Sequence, residues 1–157
     1  MPIVLARVDD RLIHGQVATN WIKVTAPQMV VVVDDKLPDD QLQVNILKMA
    51  APQGVKVYVQ TPEKFGAKLL SGALDSYKIM LIFAGVEAPL KLLEMGVKLP
   101  SINIGGMRFK EGRTQLSKTI SMTPEEKEIT RRIAAMGVEV EHRQVNSDSK
   151  MDVIPLL

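Results

Sequence analysis

Short runs of apolar residues alternate along the chain with segments in which apolar residues recur every three or four positions. The runs are typical of buried strands, and recurrence every three or four positions is typical of helices with one buried face. The runs predict strands over 3–8, 29–33, 55–59, 78–83, 101–105, 115–122 and 138–142. The segments between them predict helices over 15–26, 39–51, 62–73, 86–95 and from 123 onward. This alternation predicts an α/β fold: a single domain with an open, twisted, mainly parallel sheet and helices on both faces.

Spacing within the predicted elements indicates how they pack. The run 78–83 is the most continuous and is expected at the centre of the sheet, whereas the alternating run 138–142 is expected at an edge. Thr123 and Glu126 have the spacing of a capping box, in which each side chain accepts a hydrogen bond from the other residue's backbone N–H. The tail after 143 begins polar and ends apolar, so its end is expected to dock on the body or on a neighbouring subunit. Three helices carry apolar stripes of the kind that usually face a core: Val17, Trp21 and Val24; Leu42, Ile46 and Met49; and Ile129, Ile133 and Met136.

Composition narrows the classes of protein to which this chain can belong. Its 157 residues are 46% hydrophobic and 24% charged, which is typical of one globular domain. A net charge of +2 is too small to indicate a nucleic-acid partner. The chain has no cysteine and only two histidines, which excludes disulfides and gives little support for a metal site. No apolar run approaches the ~20 residues of a membrane span, so we expect a soluble, cytoplasmic protein that reaches a membrane only through a partner.

The richest cluster of chemically active side chains follows the first predicted strand. There the sequence RVDDRLIHGQV places two arginines, two aspartates and a histidine between that strand and the next helix. In open α/β sheets the carboxyl ends of the strands form the crevice that binds ligands. His14 therefore occupies a favourable position for a function. The other histidine, His142, lies on the predicted edge strand and is interpreted as exposed and structural.

The physical chemistry of this segment favours an anion site. A helix that begins near Gly15 or Gln16 leaves its first backbone N–H groups without partners in the helix, and the helix dipole favours negative charge there. Arg7 and Arg11 supply guanidinium groups, whose forked donors suit phosphate oxygens. The neutral imidazole of His14 is a nucleophile near pH 7, so His14 is a candidate phosphoryl acceptor.

Simpler interpretations of the same residues stay open. Arg7 and Arg11 could form ordinary surface ion pairs with Asp9 and Asp10. Asp10 could instead cap a helix that begins at Arg11, but this would place Gly15 inside a helix at a cost of about 1 kcal/mol relative to alanine. The later helix start is therefore favoured.

Other motifs are weaker. Asp34 and Asp35 are interpreted as a turn or helix-entry pair, and Gly105 and Gly106 as a two-glycine turn. The glycine patterns of dinucleotide-binding and phosphate-binding loops do not occur, and neither does the serine nucleophile elbow.

Four motifs resemble those of a known family in their order and spacing. RVDDRLIHGQV at 7–17 resembles the signature of the IIB subunit or domain of the mannose/fructose/sorbose class of the bacterial sugar phosphotransferase system (PTS). VVVDD at 31–35, NIGGMR at 103–108 and ISMTPEE at 120–126 resemble the same family. The resemblance extends over essentially the whole chain, so residues 1–157 are expected to form a single IIB domain with the open, mainly parallel sheet of that family.

The resemblance implies a specific function, that of a protein-phosphohistidine–sugar phosphotransferase. A cytoplasmic IIA protein would pass a phosphoryl group from a phosphohistidine to Nδ1 of His14. This chain would then donate the group to a hexose or amino sugar that the membrane subunits IIC and IID move inward. Arg7 and Arg11 would help to hold the group, together with the helix start at Gly15 and Gln16. No metal or organic cofactor is implied, and the identity of the sugar and a homo-oligomeric state stay open.

Asp9 and Asp10 are expected to orient the arginines or the ring of His14.

Two alternative functions stay open as well. One is a small phosphatase or mutase that works through a phosphohistidine, with Asp10 as general acid. The other is a non-catalytic module that binds a phosphorylated metabolite through the same loop.

Overall fold

A computed structural model describes residues 2–157, which contain nine strands and five α-helices. The strands are β1 (Ile3–Asp9), β2 (Met29–Val33), β3 (Lys56–Gln60), β4 (Ile79–Phe83), β5 (Ser101–Gly106), β6 (Thr114–Gln115), β7 (Ser121–Met122), β8 (Glu139–His142) and β9 (Met151–Asp152). The α-helices are α1 (Ile22–Thr25), α2 (Gln41–Ala50), α3 (Pro62–Leu70), α4 (Glu87–Glu94) and α5 (Pro124–Ala135). A π-helical turn, Val17–Trp21, leads directly into α1, and single 3-10 turns occupy Leu37–Asp39 and Ile154–Leu156.

Seven strands form one sheet in the order β3-β2-β4-β1-β5-β8-β9. The first six in this order pair in parallel, and β9 pairs antiparallel with β8. β6 and β7 form a separate antiparallel pair. The predicted α/β fold with an open, mainly parallel sheet is confirmed, and so is the central position of β4, which is buried along its whole length.

Alternate side chains of the strands enter two separate cores. On β2, Val30 and Val32 face a core shared with the π-helical turn and α2, whereas Val31 and Val33 face a core shared with α3, α4 and α5. This division follows from the period of two along a strand. The helices therefore cover both faces of the sheet, as predicted.

The predicted apolar stripe of the second helix faces solvent. α2 buries Val44 and Leu47, and it leaves Leu42, Ile46 and Met49 exposed. Both sets have helical spacing, so spacing alone could not decide which one meets the sheet. The last residues of the other two predicted stripes are also exposed: Val24 and Met136.

Two predicted elements are shorter than expected. The single strand predicted over 115–122 is wrong, because this segment turns back on itself and places β6 against β7. The backbone N–H groups of Leu116 and Ser117 both donate to the carbonyl of Ile120, which closes the turn. α3 ends three residues before its predicted end, and Gly72 follows it in the left-handed conformation with a φ of 83°.

The C-terminal tail changes the position of β8 in the sheet. β8 was predicted at an edge, but β9 covers its outer side, so that prediction is wrong. Val153 is fully buried, and Ile154 and Leu157 pack against the core below α5. The tail therefore docks on the body of the protein, which is one of the two predicted arrangements.

The order of the strands creates a crevice beside β1. The chain leaves β1 toward the face covered by α2, whereas it leaves the neighbouring strands β4 and β5 toward the opposite face. Connections that diverge in this way open a crevice at the carboxyl ends of the strands. The segment 9–15, with its cluster of charged residues, lies at this point.

Candidate functional site

The loop after β1 folds tightly around the end of that strand. Leu12 has a left-handed φ of 59°, and its backbone N–H donates to the carbonyl of Asp9 over 2.9 Å. The backbone N–H of Arg11 donates to the Asp9 carboxylate over 3.1 Å. Leu12 and Ile13 turn their side chains into the core below the π-helical turn. The loop is therefore held from both its backbone and its apolar side chains.

The helix begins at Gly15, which agrees with the later of the two starts considered from the sequence. The carbonyl of His14 accepts a hydrogen bond from the backbone N–H of Ala18 over 2.9 Å, so His14 is the residue that caps this helix. The turn Val17–Trp21 is π-helical. Such turns are rare in α-helices and occur frequently at functional sites.

The imidazole of His14 is oriented by a buried carboxylate. Its Nε2 lies 3.0 Å from Oδ2 of Asp9, whose side chain has no solvent exposure. A carboxylate can only accept a hydrogen bond, so in the neutral ring Nε2 carries the proton and Nδ1 carries the lone pair. The side chain of His14 is 20% exposed. The contact with Asp9 therefore leaves Nδ1 as the nitrogen that can act as a nucleophile.

Arg7 lies in the interior, where only 1% of it is exposed. Its Nη2 donates to Asp9 and to the carbonyl of Gln144, both over 3.3 Å. Its Nη1 donates to the side chain of Asn103 and to the carbonyl of Arg143. Burial lowers the pKa of Arg7, and the contact with Asp9 acts in the opposite direction. The ion pair between Arg7 and Asp9 is therefore buried, and the surface pair considered from the sequence is wrong.

A tryptophan from the π-helical turn packs against this network. The guanidinium groups of Arg7 and Arg143 each lie 5.1 Å from the centre of the Trp21 ring, within the range of cation–π contacts. Nε1 of Trp21 donates to the carbonyl of Gln144 over 2.8 Å. These contacts hold Arg143 and Gln144, which follow β8, against the buried side of the site.

Sequence reasoning missed Asn103, Glu141 and Arg143. Asn103 lies opposite Arg7 in the register of β1 and β5, and Glu141 lies opposite Asn103 in the register of β5 and β8. Asn103 donates to Glu141 over 2.9 Å, and Arg143 lies 2.9 Å from the same carboxylate. Asn103, a polar residue between the apolar residues Ile102 and Ile104 of β5, was the sequence signal that could have located these contacts.

Gly105 and Gly106 lie within β5, so the predicted two-glycine turn is wrong. The reason for glycine at position 105 is steric, because a Cβ there would overlap the guanidinium of Arg7. The carbonyl of Gly106 accepts a hydrogen bond from the backbone N–H of Asp10 over 3.1 Å. The pair therefore makes room for Arg7 and fixes the start of the loop after β1.

The open side of the site carries positive charge. The side chain of Arg11 is 50% exposed, and its Nε lies 3.8 Å from Asp9. Gly15 and Gln16 are exposed, and a Cβ on Gly15 would meet nothing within 4 Å. The backbone N–H groups at a helix start carry partial positive charge. Arg11 and the helix start therefore present positive charge to solvent next to His14.

Asp10 connects the loop after β1 to the segment between β5 and β6. Its carboxylate accepts a hydrogen bond from the backbone N–H of Arg108 over 2.8 Å, and Nη1 of Arg113 lies 3.9 Å away. Arg113 also donates twice to Glu126, over 2.9 and 2.8 Å. Asp10 therefore pairs with arginines from a distant segment and not with those of its own loop.

Glu126 joins this network to the start of α5. Its carboxylate accepts from the backbone N–H of Thr123 over 2.8 Å, and Oγ1 of Thr123 accepts from the backbone N–H of Glu126 over 3.0 Å. The predicted capping box is therefore confirmed. Burial by itself raises the pKa of Glu126, but the hydrogen bonds from Arg113 and Thr123 outweigh it and hold this pKa below its ordinary value.

We expect Glu126→Gln to lower the free energy of unfolding by about 2 kcal/mol at pH 7, because it removes one charge of a buried pair. A carboxyl group whose pKa is lower in the folded chain stabilises the fold above its unfolded-state pKa. This contribution is lost as pH falls through the folded-state pKa. The difference in the free energy of unfolding between the wild type and the variant should therefore become smaller at acidic pH. Urea unfolding at neutral pH and near pH 3 measures it, and an equal difference at both pH values would contradict the ion-pair explanation.

The other polar residues selected from the sequence have structural contacts. His142 is half-buried, which corrects the prediction that it is exposed. Its Nδ1 lies 2.6 Å from the carbonyl of Ile104, and its Nε2 lies 3.2 Å from Oγ1 of Thr119. Asp34 accepts hydrogen bonds from the backbone N–H groups of Lys36 and Leu37, as expected for a helix-entry residue.

Residues 2–157 contain neither a helix that could span a membrane nor a cluster of metal-binding side chains. Every helix in this range is too short or too polar to cross a membrane. In the same range, no three His, Cys, Asp or Glu side chains come together in a way that could hold a metal ion.

Comparison with known proteins gives consistent results. Residues 3–157 match the protein family described as "PTS system sorbose subfamily IIB component". The chain is 36% identical to the PTS system fructose-specific EIIB component of Bacillus subtilis (strain 168) over 157 residues, which are 100% of this chain and 96% of that protein. It is 37% identical to the PTS system mannose-specific EIIAB component of Escherichia coli (strain K12) over 157 residues. The chain spans about half (49%) of the length of that relative.

A solved structure has the same fold. The crystal structure of the IIBSor domain of the sorbose permease from Klebsiella pneumoniae superimposes with a TM-score of 0.95 and 35% sequence identity. The match covers 99% of this chain and 96% of that one. The match to the family, the relatives and this structure agree with the resemblance carried by the four sequence motifs. The chain therefore belongs to the sorbose subfamily of IIB components of the phosphotransferase system.

Proposed function

We propose that this protein accepts a phosphoryl group from a phosphorylated IIA protein on Nδ1 of His14. It then donates the group to a hexose or amino sugar during uptake through the membrane subunits IIC and IID. The observation that carries this proposal is the 3.0 Å contact between Nε2 of His14 and Asp9, which leaves Nδ1 free as the nucleophile. The names of the relatives, which include mannose-, fructose- and sorbose-specific components, support a sugar as the final acceptor.

The proposed transfer is an in-line displacement at phosphorus. The Nδ1 lone pair attacks the phosphorus in line as the bond from phosphorus to the donor imidazole breaks, and the donor ring leaves as neutral imidazole. Arg11 and the backbone N–H groups of Gly15 and Gln16 stabilise the negative charge on the transferring oxygens. The chemistry needs positioning and electrostatics and little else, because the protein supplies only an acceptor nitrogen and fixed positive charge.

Asp9 has a second role after the bond forms. His14 keeps its proton on Nε2 while Nδ1 binds phosphorus, so the ring itself becomes positively charged. The Asp9 carboxylate, 3.0 Å from Nε2, stabilises that charge. Arg7 contributes indirectly because it holds Asp9 and is itself buried. Direct contact between Arg7 and the phosphoryl group stays a prediction.

We propose that residues 1–157 form one IIB domain, that it works in the cytoplasm, and that it meets the membrane only through IIC and IID. Phosphorylated IIA is the donor partner.

Asp10 is engaged by Arg108 and Arg113, which makes it a positioning residue for the loop and disfavours the alternative in which it acts as a general acid.

The experiment that tests the proposal is phosphorylation of the purified chain. It is incubated with phosphoenolpyruvate, the general phosphotransferase proteins and a IIA protein of the mannose/fructose/sorbose class. We expect one phosphate per chain, acid-labile and base-stable, at Nδ1 by NMR of the 15N-labelled ring. Phosphate release from small phosphoesters without any partner protein would favour the phosphatase alternative, and tight metabolite binding without covalent phosphate would favour the sensing module.

Arg11→Lys should slow this transfer about tenfold and leave the unfolding free energy nearly unchanged. Lysine keeps the positive charge but loses the forked donors, and the half-exposed side chain of Arg11 contributes little to packing. Arg132→Lys, at an exposed arginine on α5 that pairs with Glu94, is the matched control and should transfer at the wild-type rate. Equal rates for both variants would show that Arg11 does not contact the phosphoryl group.

A further inference from the structure

A large aromatic side chain is exposed on the segment that Asp10 binds. We refer to residues 108–112, between β5 and β6, as the 108–112 loop. Phe109 in this loop is 67% exposed, with Arg108 and Lys110 on either side of it. Single exposed apolar residues are common on protein surfaces. The significance of Phe109 therefore depends on how its loop is held and on what surrounds it.

The base of the 108–112 loop is held by Arg113. Its guanidinium donates to the carbonyl of Arg108 over 2.7 Å and twice to Glu126, and its backbone N–H donates to the carbonyl of Lys110 over 3.0 Å. The side chain of Arg113 is almost fully buried, so these bonds are shielded from water. The exposed aromatic ring therefore projects from a closed, well-anchored turn. Little conformational entropy is lost when such a turn meets a partner.

The 108–112 loop is also joined to the segment that carries His14. The backbone N–H of Asp10 donates to Gly106 at the end of β5, and the backbone N–H of Arg108 donates to the Asp10 carboxylate. Both segments leave the carboxyl edge of the sheet from neighbouring strands. Phe109 is thus presented at the same edge as His14.

We propose that Phe109 is a docking contact for the phosphorylated IIA donor. This inference rests on the proposed function and names the surface through which the donor reaches His14. The exposed charges nearby are mainly positive and favour this occupant: Arg108 is 69% exposed, Arg11 is half-exposed and Lys110 is exposed, against one exposed carboxylate, Glu111. The carboxylates that pair with the two arginines, Asp10 and Asp9, are themselves largely buried. A donor that carries a phosphoryl group of nearly two negative charges is complementary to this surface. Phe109 supplies an apolar contact on this surface, and aromatic side chains are among those that contribute most to binding energy in interfaces.

The charge of the surface changes when transfer is complete. The phosphoryl group then lies on His14, next to the same arginine, and offsets its positive charge. The attraction for a second phosphorylated donor falls as a result, and the unloaded IIA is released.

The test is the initial rate of phosphoryl transfer at a series of phosphorylated IIA concentrations. We expect Phe109→Ala to raise the KM for the donor about tenfold and to leave kcat within about twofold of the wild type. Tyr77→Ala is the matched control. Tyr77 is an exposed aromatic residue that precedes β4 at the opposite edge of the sheet, and its variant should keep the wild-type KM. Thermal unfolding of all three proteins checks that each is folded at the assay temperature.

Two results would overturn this inference while leaving the proposed function intact. In the first, the wild type is phosphorylated and Phe109→Ala has the same KM for the donor. In the second, Phe109→Ala takes phosphate normally but passes it more slowly to sugar in membrane vesicles that contain IIC and IID, which would assign the surface to those subunits. Failure of the wild type to accept phosphate at all is a different outcome, and it would refute the proposed function itself.

Discussion

His14→Ala should take up no phosphate under conditions in which the wild type is fully labelled. The expected loss is complete, because the variant lacks the nitrogen that forms the bond to phosphorus. Acid-labile label is measured by intact mass and by 32P from phosphoenolpyruvate. The variant should remain folded, since the side chain of His14 is near the surface and contributes one hydrogen bond to Asp9.

His142→Ala is the matched control, because it removes the only other imidazole in the chain. His142 contacts Ile104 and Thr119, so its loss should cost about 1 kcal/mol of stability and leave phosphate uptake intact. Label that persists in the His14 variant and disappears in the His142 variant would transfer the acceptor role to the second histidine. Label that persists in both variants would show that His14 is not the sole acceptor.

Asp9→Asn should have the second largest effect, on transfer and on stability together. The substitution keeps the shape of the side chain but leaves the guanidinium of Arg7 buried without its charged partner, which costs about 3–5 kcal/mol. The amide can also donate a hydrogen bond to Nε2 of His14, which would favour the tautomer with the proton on Nδ1 and block the lone pair. We therefore expect the rate of phosphoryl transfer per folded molecule to fall about 100-fold or more.

Two measurements separate the loss of fold from the loss of chemistry in this variant. Circular dichroism gives the folded fraction at the assay temperature, and 15N NMR of the His14 ring reports which nitrogen carries the proton. Asp35→Asn is the matched control, because Asp35 is a half-exposed carboxylate on the same edge of the sheet whose ion pair with Lys91 should contribute less than about 1 kcal/mol. A folded Asp9 variant with the wild-type rate would remove Asp9 from the mechanism.

The parts of the fold that were predictable from the sequence have strong local patterns. The runs that form β2 and β4 are apolar on both faces, and such runs have few alternatives to a buried strand. The capping box at Thr123 and Glu126 depends on residues three positions apart. β6, β7 and β9 have two residues each, which is too short for a pattern to develop. The exposed face of α2 shows a different limit, because two sets of residues with the same spacing compete for the sheet.

For the candidate site, too, the sequence predicts some parts and not others. The position of His14 at a helix start and at a strand end followed from neighbouring residues. The burial of Arg7 did not, because its partners Asn103 and Gln144 are 96 and 137 positions away in the chain. An arginine two residues from an aspartate is typical of a surface ion pair, and only the register of β1 with β5 shows that this one enters the core. Contacts of such long sequence separation leave no local signal.

Trp21 gives the protein an intrinsic optical reporter. It is the only tryptophan in the chain, it is almost fully buried, and its ring touches the guanidinium groups on either side of the network that holds Asp9. The fluorescence of an indole depends on the charges next to its ring, so its emission records any displacement of Arg7 or Arg143. We therefore expect Trp21 to report, in unlabelled protein, any rearrangement of the network around Asp9.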